Sequence, residues 1–167
     1  RGGRRPVNEF ELIDRLRARA TAAPPQGRAQ GPALPAGTVL LGSGDDCALL
    51  RPRPGRALAV SVDTAVAGVH VPADPDPYLL GWRATAAALS DLAAMGAEPL
   101  ALLIALTVPP ERAEGPWADA LADGVAALLA RTGGRVVGGD MTRGPLAFSC
   151  TVLGDVDPAR ALTRAGA

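Results

Sequence analysis

Lysine is absent from this sequence: all 17 residues of the Lys+Arg count are Arg. That excludes any mechanism requiring a lysine from this chain, including P-loop phosphate binding and Schiff-base chemistry. The Arg-only bias, with its abundant Ala, Gly and Pro, is also what a GC-rich genome produces. Cysteine is scarce. Cys47 and Cys150 form neither a CxxC motif nor a Cys/His cluster, so no disulfide framework is expected, and a reduced, cytoplasmic setting is the simplest reading. No uncharged apolar run approaches the roughly 18 residues of a membrane span, and no signal-peptide pattern precedes the first predicted helix. The formal net charge is +0 and no basic stretch stands out, so nucleic acid is not an expected partner.

What is present fits one domain, or one domain with extensions: 167 residues, 48% of them hydrophobic. Residues 1–22 contain an amphipathic helix, predicted over 8–22. Asn8 is its cap, Glu11 stands at capping-box spacing, and Phe10, Ile13 and Leu16 recur at helical period. Residues 23–37, rich in Pro, Gly, Ala and Gln, read as a flexible linker or long loop that trypsin should cut near Arg28. A domain is expected over 38–157. Its predicted strands are 39–41, 47–50, 57–63, 66–71, 100–108, 135–137 and 146–156, with helices at 77–95 and 114–132. This order argues an α+β fold, with helices on one face of a mixed, mostly antiparallel sheet.

The acidic residues fall at telling places. Asp45 and Asp46 sit in a glycine-rich turn, Asp63 ends a strand whose Ser61 shares its face, and Asp140 follows Gly138-Gly139, read as a turn. Asp91 lies inside a helix, with Ala84, Ala87, Ala88 and Met95 on its face. That face reads as buried, and a buried carboxylate needs a partner, a metal ion or Arg83. The alternative is a surface carboxylate on a differently phased helix. Gly-Asp pairs are common in plain turns, but carboxylates gathered on strand ends and loops also suit Mg²⁺, a hard cation that takes oxygen ligands. His70, the single histidine, suits either substrate contact or an exposed strand position. Cys47, Cys150, Trp82 and Trp117 read as packing residues.

Several segments in series resemble the thiamine-monophosphate kinase family. They are Gly44-Asp45-Asp46-Cys47-Ala48, Ser61-Val62-Asp63-Thr64, Val66-Ala67-Gly68-Val69-His70, the stretch from Leu89 through Ser90-Asp91 to Ala97, Gly138-Gly139-Asp140-Met141-Thr142-Arg143-Gly144-Pro145, and the stretch from Arg160 to Ala167. The resemblance runs from Phe10 to Ala167 and is weakest over 23–37. It implies the amino-terminal domain of the aminoimidazole-ribonucleotide-synthetase-like fold, which pairs with a second copy into a homodimer. Residues 158–167 would then begin the connection to a carboxy-terminal domain. The resemblance also implies Mg²⁺ ligands at Asp46, Ser61, Val62, Asp63, Asp91 and Asp140, several ions in all. ATP contacts fall at Gly139, Asp140 and Arg164, and contact with thiamine phosphate at His70. Three positions depart from the family's usual pattern: Val62 and Met141 replace Thr, and Ala88 replaces Asn. At Val62 only the backbone carbonyl remains to meet a metal.

The implied reaction is ATP-dependent phosphorylation of thiamine phosphate by direct, Mg²⁺-assisted transfer, with no phosphoenzyme. The chain by itself is expected to be inactive. The competing readings are a non-catalytic nucleotide-binding or dimerisation module, and another ATP-dependent enzyme of the same superfamily. Selenophosphate synthetases and hydrogenase-maturation relatives would want a Lys that this chain lacks.

Overall fold

The structure, a computed structural model, describes residues 18–19, 34, 36–112 and 115–166. The predicted helix 8–22 and linker 23–37 fall almost wholly outside the described residues, as does the cleavage expected at Arg28. Ala18 and Arg19 are helical, and Arg19 ion-pairs with Asp123 and, at 3.5 Å, with Asp119.

Six strands and two helices make up the rest: β1 Val39–Leu41, β2 Leu49–Leu50, β3 Ala57–Val66, α1 Pro77–Ala94, β4 Glu98–Val108, α2 Pro116–Thr132, β5 Val136–Arg143 and β6 Ala147–Val156. Strands β3, β6, β4 and β5 form one sheet in that order. β6 is antiparallel to both neighbours and β4 is parallel to β5. The parallel pair is joined through α2, as a parallel connection requires. The fold is therefore the expected α+β arrangement, a mixed and mostly antiparallel sheet with both helices on one face.

Period-2 alternation sorts the sheet. Phe148, Cys150 and Val152 of β6, with Leu102, Ile104, Leu106 and Val108 of β4, are buried against α1 and α2. Helix α1 starts where Asp76 accepts the Leu79 N–H at 2.9 Å and Pro77 occupies the first turn. Its buried stripe is small, with Gly81, Ala84, Thr85 and Ala88, so α2 approaches closely. A Cβ on Gly81 would lie 2.3 Å from the Leu121 carbonyl oxygen, and one on Gly124 would lie 2.0 Å from that of Tyr78. The crossing exists because neither helix carries a side chain there.

The opposite face of the sheet is different. Leu58, Val60 and Val62 of β3 are 49%, 58% and 63% exposed, so the apolar half of that strand points away from the helices. The described residues cover only part of this outer face. Leu100, Ala101 and Val137 are buried beneath Leu34, Val39, Ala48 and Leu50, which seats the β1–β2 hairpin on the sheet. No described helix is long and apolar enough to cross a membrane.

Three sequence readings are corrected here. Asp63 does not end its strand, because the ladder to β6 runs on three residues to Val66. Residues 66–71 are not a strand of their own. β3 ends at Val66, and the chain turns through an isolated Ala67–Val71 bridge, with Gly68 N–H donating to the Val71 carbonyl at 2.8 Å. Gly138-Gly139-Asp140 is not a turn but lies within β5, with Gly139 paired to Ile104 and Asp140 to Ala105. A Cβ at Gly139 would sit 2.0 Å from the Ile104 carbonyl oxygen, so glycine serves close strand approach there.

At the far end of the sheet Asp155 is fully buried and charged. Arg53 binds it through its backbone N–H at 3.2 Å, through Nε at 3.0 and 3.1 Å, and through Nη2; Arg56 Nε adds a bond at 3.2 Å. Glu98 joins both arginines, at 3.0 and 3.2 Å. The bonds from Arg53, foremost among the causes, hold the Asp155 carboxyl below the usual carboxylate range against the opposing effect of burial. A depressed folded-state pKa stabilises the fold above the unfolded value of about 3.9. That contribution is lost as pH falls through the folded value. Asp155→Asn is thus expected to cost about 1.5–3 kcal/mol at neutral pH, because the bonds from Arg53 and Arg56 lose their charged acceptor. The gap between wild type and variant should narrow below about pH 4. Denaturant midpoints measured from pH 7 to pH 3 check both points, and a constant gap would contradict the linkage.

Candidate functional site

A cleft of about 570 Å³ opens between the glycine-rich turn after β1 and the outer face of the sheet. Asp45, Asp46 and Cys47 line it from the turn, Gly139 and Asp140 from β5, and Leu103, Thr151 and Leu153 from the sheet. The turn is braced by Asp45 Oδ1, which accepts the Asp46 N–H at 2.8 Å. The cleft therefore unites the predicted residue Asp46 with Gly139 and Asp140, about ninety positions later in sequence.

A second group forms where β3 meets α1. Ser61 Oγ donates to Asp91 Oδ2 at 2.5 Å. Asp63, two residues on along the same face, accepts the Thr64 N–H at 2.8 Å and lies opposite Cys150 of β6. Burial, and secondarily the Asp63 charge, push the Cys150 thiol up to about 12. Asp91 is exposed rather than buried, because α1 turns its Ala84–Ala88–Leu92 stripe to the core and leaves Asp91 at the rim. The partner it acquires is Ser61, not Arg83.

The remaining predicted residues stand apart from both groups. The Val62 side chain is on the outer sheet face. His70 is exposed in the turn after β3, where its Nδ1 accepts the Val66 N–H at 3.2 Å, so Nε2 is the ring nitrogen left to meet a ligand. Arg164 is exposed in a short 3-10 turn near the end of the chain and does not line the cleft. Cys47, read from sequence as core, is exposed and lines the cleft, because the apolar packing of its segment begins one residue later, at Ala48.

Asp46, Asp63, Asp91 and Asp140 are all exposed, and none is ion-paired among the described residues. Their donor set is oxygen alone, as Mg²⁺ prefers. Among the described residues no three His, Cys, Asp or Glu side chains gather tightly enough to cage one ion. Mg²⁺ is commonly bound by one or two carboxylates plus water and substrate phosphates. The donors thus fit the ion when a phosphate ligand completes its shell. Sequence reasoning missed the Arg53–Arg56–Glu98–Asp155 cluster. Its one signal was the arginine-rich Arg51-Pro52-Arg53-Pro54-Gly55-Arg56 segment.

Comparison with known proteins gives a consistent picture. The family described as AIR synthase related protein, N-terminal domain, matches residues 44–156. Thiamine-monophosphate kinase of Salmonella typhimurium is 48% identical over 129 residues, covering 77% of this chain and 39% of the relative. The chain therefore spans about two fifths of the length of that relative. The crystal structure of thiamine-monophosphate kinase from Stenotrophomonas maltophilia superposes with a TM-score of 0.72 at 41% identity, over 92% of this chain and 44% of that one. A second solved structure, AaThiL complexed with AMPPCP and TMP, superposes with a TM-score of 0.59 at 26% identity, over 64% of this chain and 35% of its own.

Proposed function

We propose, for a chain that belongs to the AIR synthase related N-terminal domain family, that it is the nucleotide- and metal-binding part of a thiamine-monophosphate kinase. The observation that carries the reading is the cleft, which Asp46 of the turn lines together with Gly138, Gly139 and Asp140 of β5, beside the apolar side chains of Leu103 and Leu153. The similarity to thiamine-monophosphate kinases along most of the chain supports it. ATP would lie in the cleft, with its phosphates along the Gly138–Gly139 backbone. Oriented amides and carboxylate-held cations can replace the lysine of a P-loop. Asp46 and Asp140 would hold Mg²⁺ from the cleft. Asp63, Asp91, Ser61 and the Val62 carbonyl would hold it from β3 and α1. When bound, these ions neutralise the charge between nucleotide and acceptor phosphates.

The acceptor, a phosphate monoester, is already anionic near neutral pH, its second pKa being about 6. It needs little help from a base, so the protein's task is alignment and charge neutralisation. The Ser61–Asp91 bond fixes one carboxylate oxygen and leaves the other free for a cation. His70 would meet the acceptor through Nε2. His70→Ala is expected to raise the Michaelis constant for thiamine phosphate several-fold more than that for ATP. Equal effects on both constants would remove His70 from the acceptor site.

The exposed apolar face of β3 is the surface for a second copy. β3 is a ten-residue edge strand, and nothing described covers Leu58, Val60 or Val62. The 167-residue chain is expected to sediment as a dimer at about tens of micromolar, and Val60→Asp to render it monomeric. A wild-type monomer at that concentration would dismiss the pairing. Cysteines without a disulfide framework and small anionic substrates suit a cytoplasmic setting.

The decisive assay uses the full-length protein with ATP, Mg²⁺ and thiamine phosphate, and tracks thiamine diphosphate. Transfer only to a different acceptor would reassign the substrate within the superfamily. Nucleotide binding without transfer to any acceptor would leave a non-catalytic module. The 167-residue chain alone is expected to bind ATP weakly and turn over negligibly.

A further inference from the structure

The wall of the cleft that carries Asp46 is a short piece of chain. β1 has three residues and β2 two, and their pairing is irregular between Val39 and Leu41. Such a hairpin is marginal alone. Among the described residues its apolar anchorage is Val39, Ala48 and Leu50, beside Leu34 and Leu153, over Leu100, Ala101 and Val137. The chain leaving β2 is held far more firmly. The Arg51 N–H donates to the Thr38 carbonyl at 2.8 Å and closes the hairpin base. Two residues later Arg53 grips the buried Asp155 by both backbone and side chain, and Arg56 and Glu98 complete the cluster. Asp155 stands opposite Leu58 of β3 and Glu98 of β4, so the anchor ties three strands at one end.

We infer that Asp155 is a positioning residue for the cleft: through Arg53 it fixes the exit of the β1–β2 hairpin and so sets the distance of Asp46 from Asp140. The carboxylate never touches ligand. Its purpose is to hold a weak hairpin at one height above the sheet, so that groups from two separate segments meet the same phosphates. A fold that needed only stability at this end could fill it with apolar residues, which are often as stabilising as a buried ion pair. Multiple directional bonds to one arginine's backbone and fork supply a fixed placement that apolar packing does not.

This inference rests on the reading of the cleft as the nucleotide site, and its test separates the two. The full-length protein is compared with Arg53→Ala, in which the residue-53 backbone N–H and Arg56 still bond Asp155. Amide hydrogen exchange is read across residues 38–50 and across β4 and β6. ATP and thiamine-phosphate kinetics are read alongside. The expected result is faster exchange confined to 38–50, with β4 and β6 protected as before. The Michaelis constant for ATP should rise about tenfold, while that for thiamine phosphate changes less. Exchange unchanged over 38–50, or raised uniformly across the sheet, would overturn the positioning role. So would selective loosening with ATP kinetics intact. If the wild-type protein binds no ATP, the nucleotide reading fails, and the exchange pattern alone still decides whether Arg53 and Asp155 hold the hairpin. Arg53→Lys, which keeps charge but loses the fork, should recover little of the ATP affinity.

Discussion

If the full-length protein is the proposed kinase, Asp91→Asn is expected to lower its kcat/KM by about 10²–10³-fold, the range for losing one preorganised electrostatic group, while the protein stays folded. The substitution is clean because Asp91 is exposed, so removing its charge leaves no buried group stranded. Ser61 Oγ can still donate to the amide oxygen, so the bond that holds the side chain in place survives. Only the negative charge offered to a cation disappears. Asp63→Asn is equally conservative, because the Thr64 N–H it now binds finds the same oxygen in Asn. Both variants should need much more Mg²⁺ to reach half-maximal rate and should melt within a few degrees of wild type. Near-normal turnover at limiting Mg²⁺ would remove the residue concerned from the metal site.

Gly124→Ala is expected to leave little folded protein, at a cost of more than about 4 kcal/mol. Intrinsic helix propensity argues the opposite sign, since alanine is favoured over glycine by about 1 kcal/mol in a helix interior. Packing decides. The new Cβ would stand 2.0 Å from the Tyr78 carbonyl oxygen and 3.0 Å from the Trp82 nitrogen, both backbone atoms of α1 that cannot swing aside. Relief requires separating the two helices, which uncovers Leu80, Leu121 and Val125, each at most 2% exposed. Gly81→Ala meets Leu121 backbone in the same way and should behave alike. Far-ultraviolet circular dichroism with urea titration checks this, and a midpoint equal to or above wild type would refute the steric account.

Much of the fold was legible because burial imposes period. Alternation in β3 and β6 and the small-residue pattern of α1 and α2 identified those elements nearly to their ends. Period alone does not say which face of a strand meets the helices. Leu58, Val60 and Val62 are the larger apolar residues of β3, yet they face outward, because Ala59 and Ala65 are the residues that pack beneath the helices. Gly138 and Gly139 read as a turn because glycine permits turns. It equally permits two backbones to touch, and Ile104 supplies the second backbone. Of the two sequence readings of Asp91, the surface one holds, because alanine does not fix the buried face of a helix and Ala87 is exposed. The candidate site was legible as a series of motifs, not as a shape. That Asp46 joins Asp140 while Ser61 joins Asp91 depends on which side of the sheet each loop crosses, and no local pattern records that.

The two cysteines end in opposite circumstances, with a practical consequence. Cys150 is sealed in the core with its thiol pushed up to about 12, so it stays protonated and out of reach of reagents. Cys47 is exposed at the mouth of the cleft, next to Asp46. A maleimide dye added to the folded chain therefore attaches at one place among the described cysteines, with no mutagenesis. That place is on the hairpin side of the cleft, so the protein carries its own position for a fluorescent reporter of changes in the cleft.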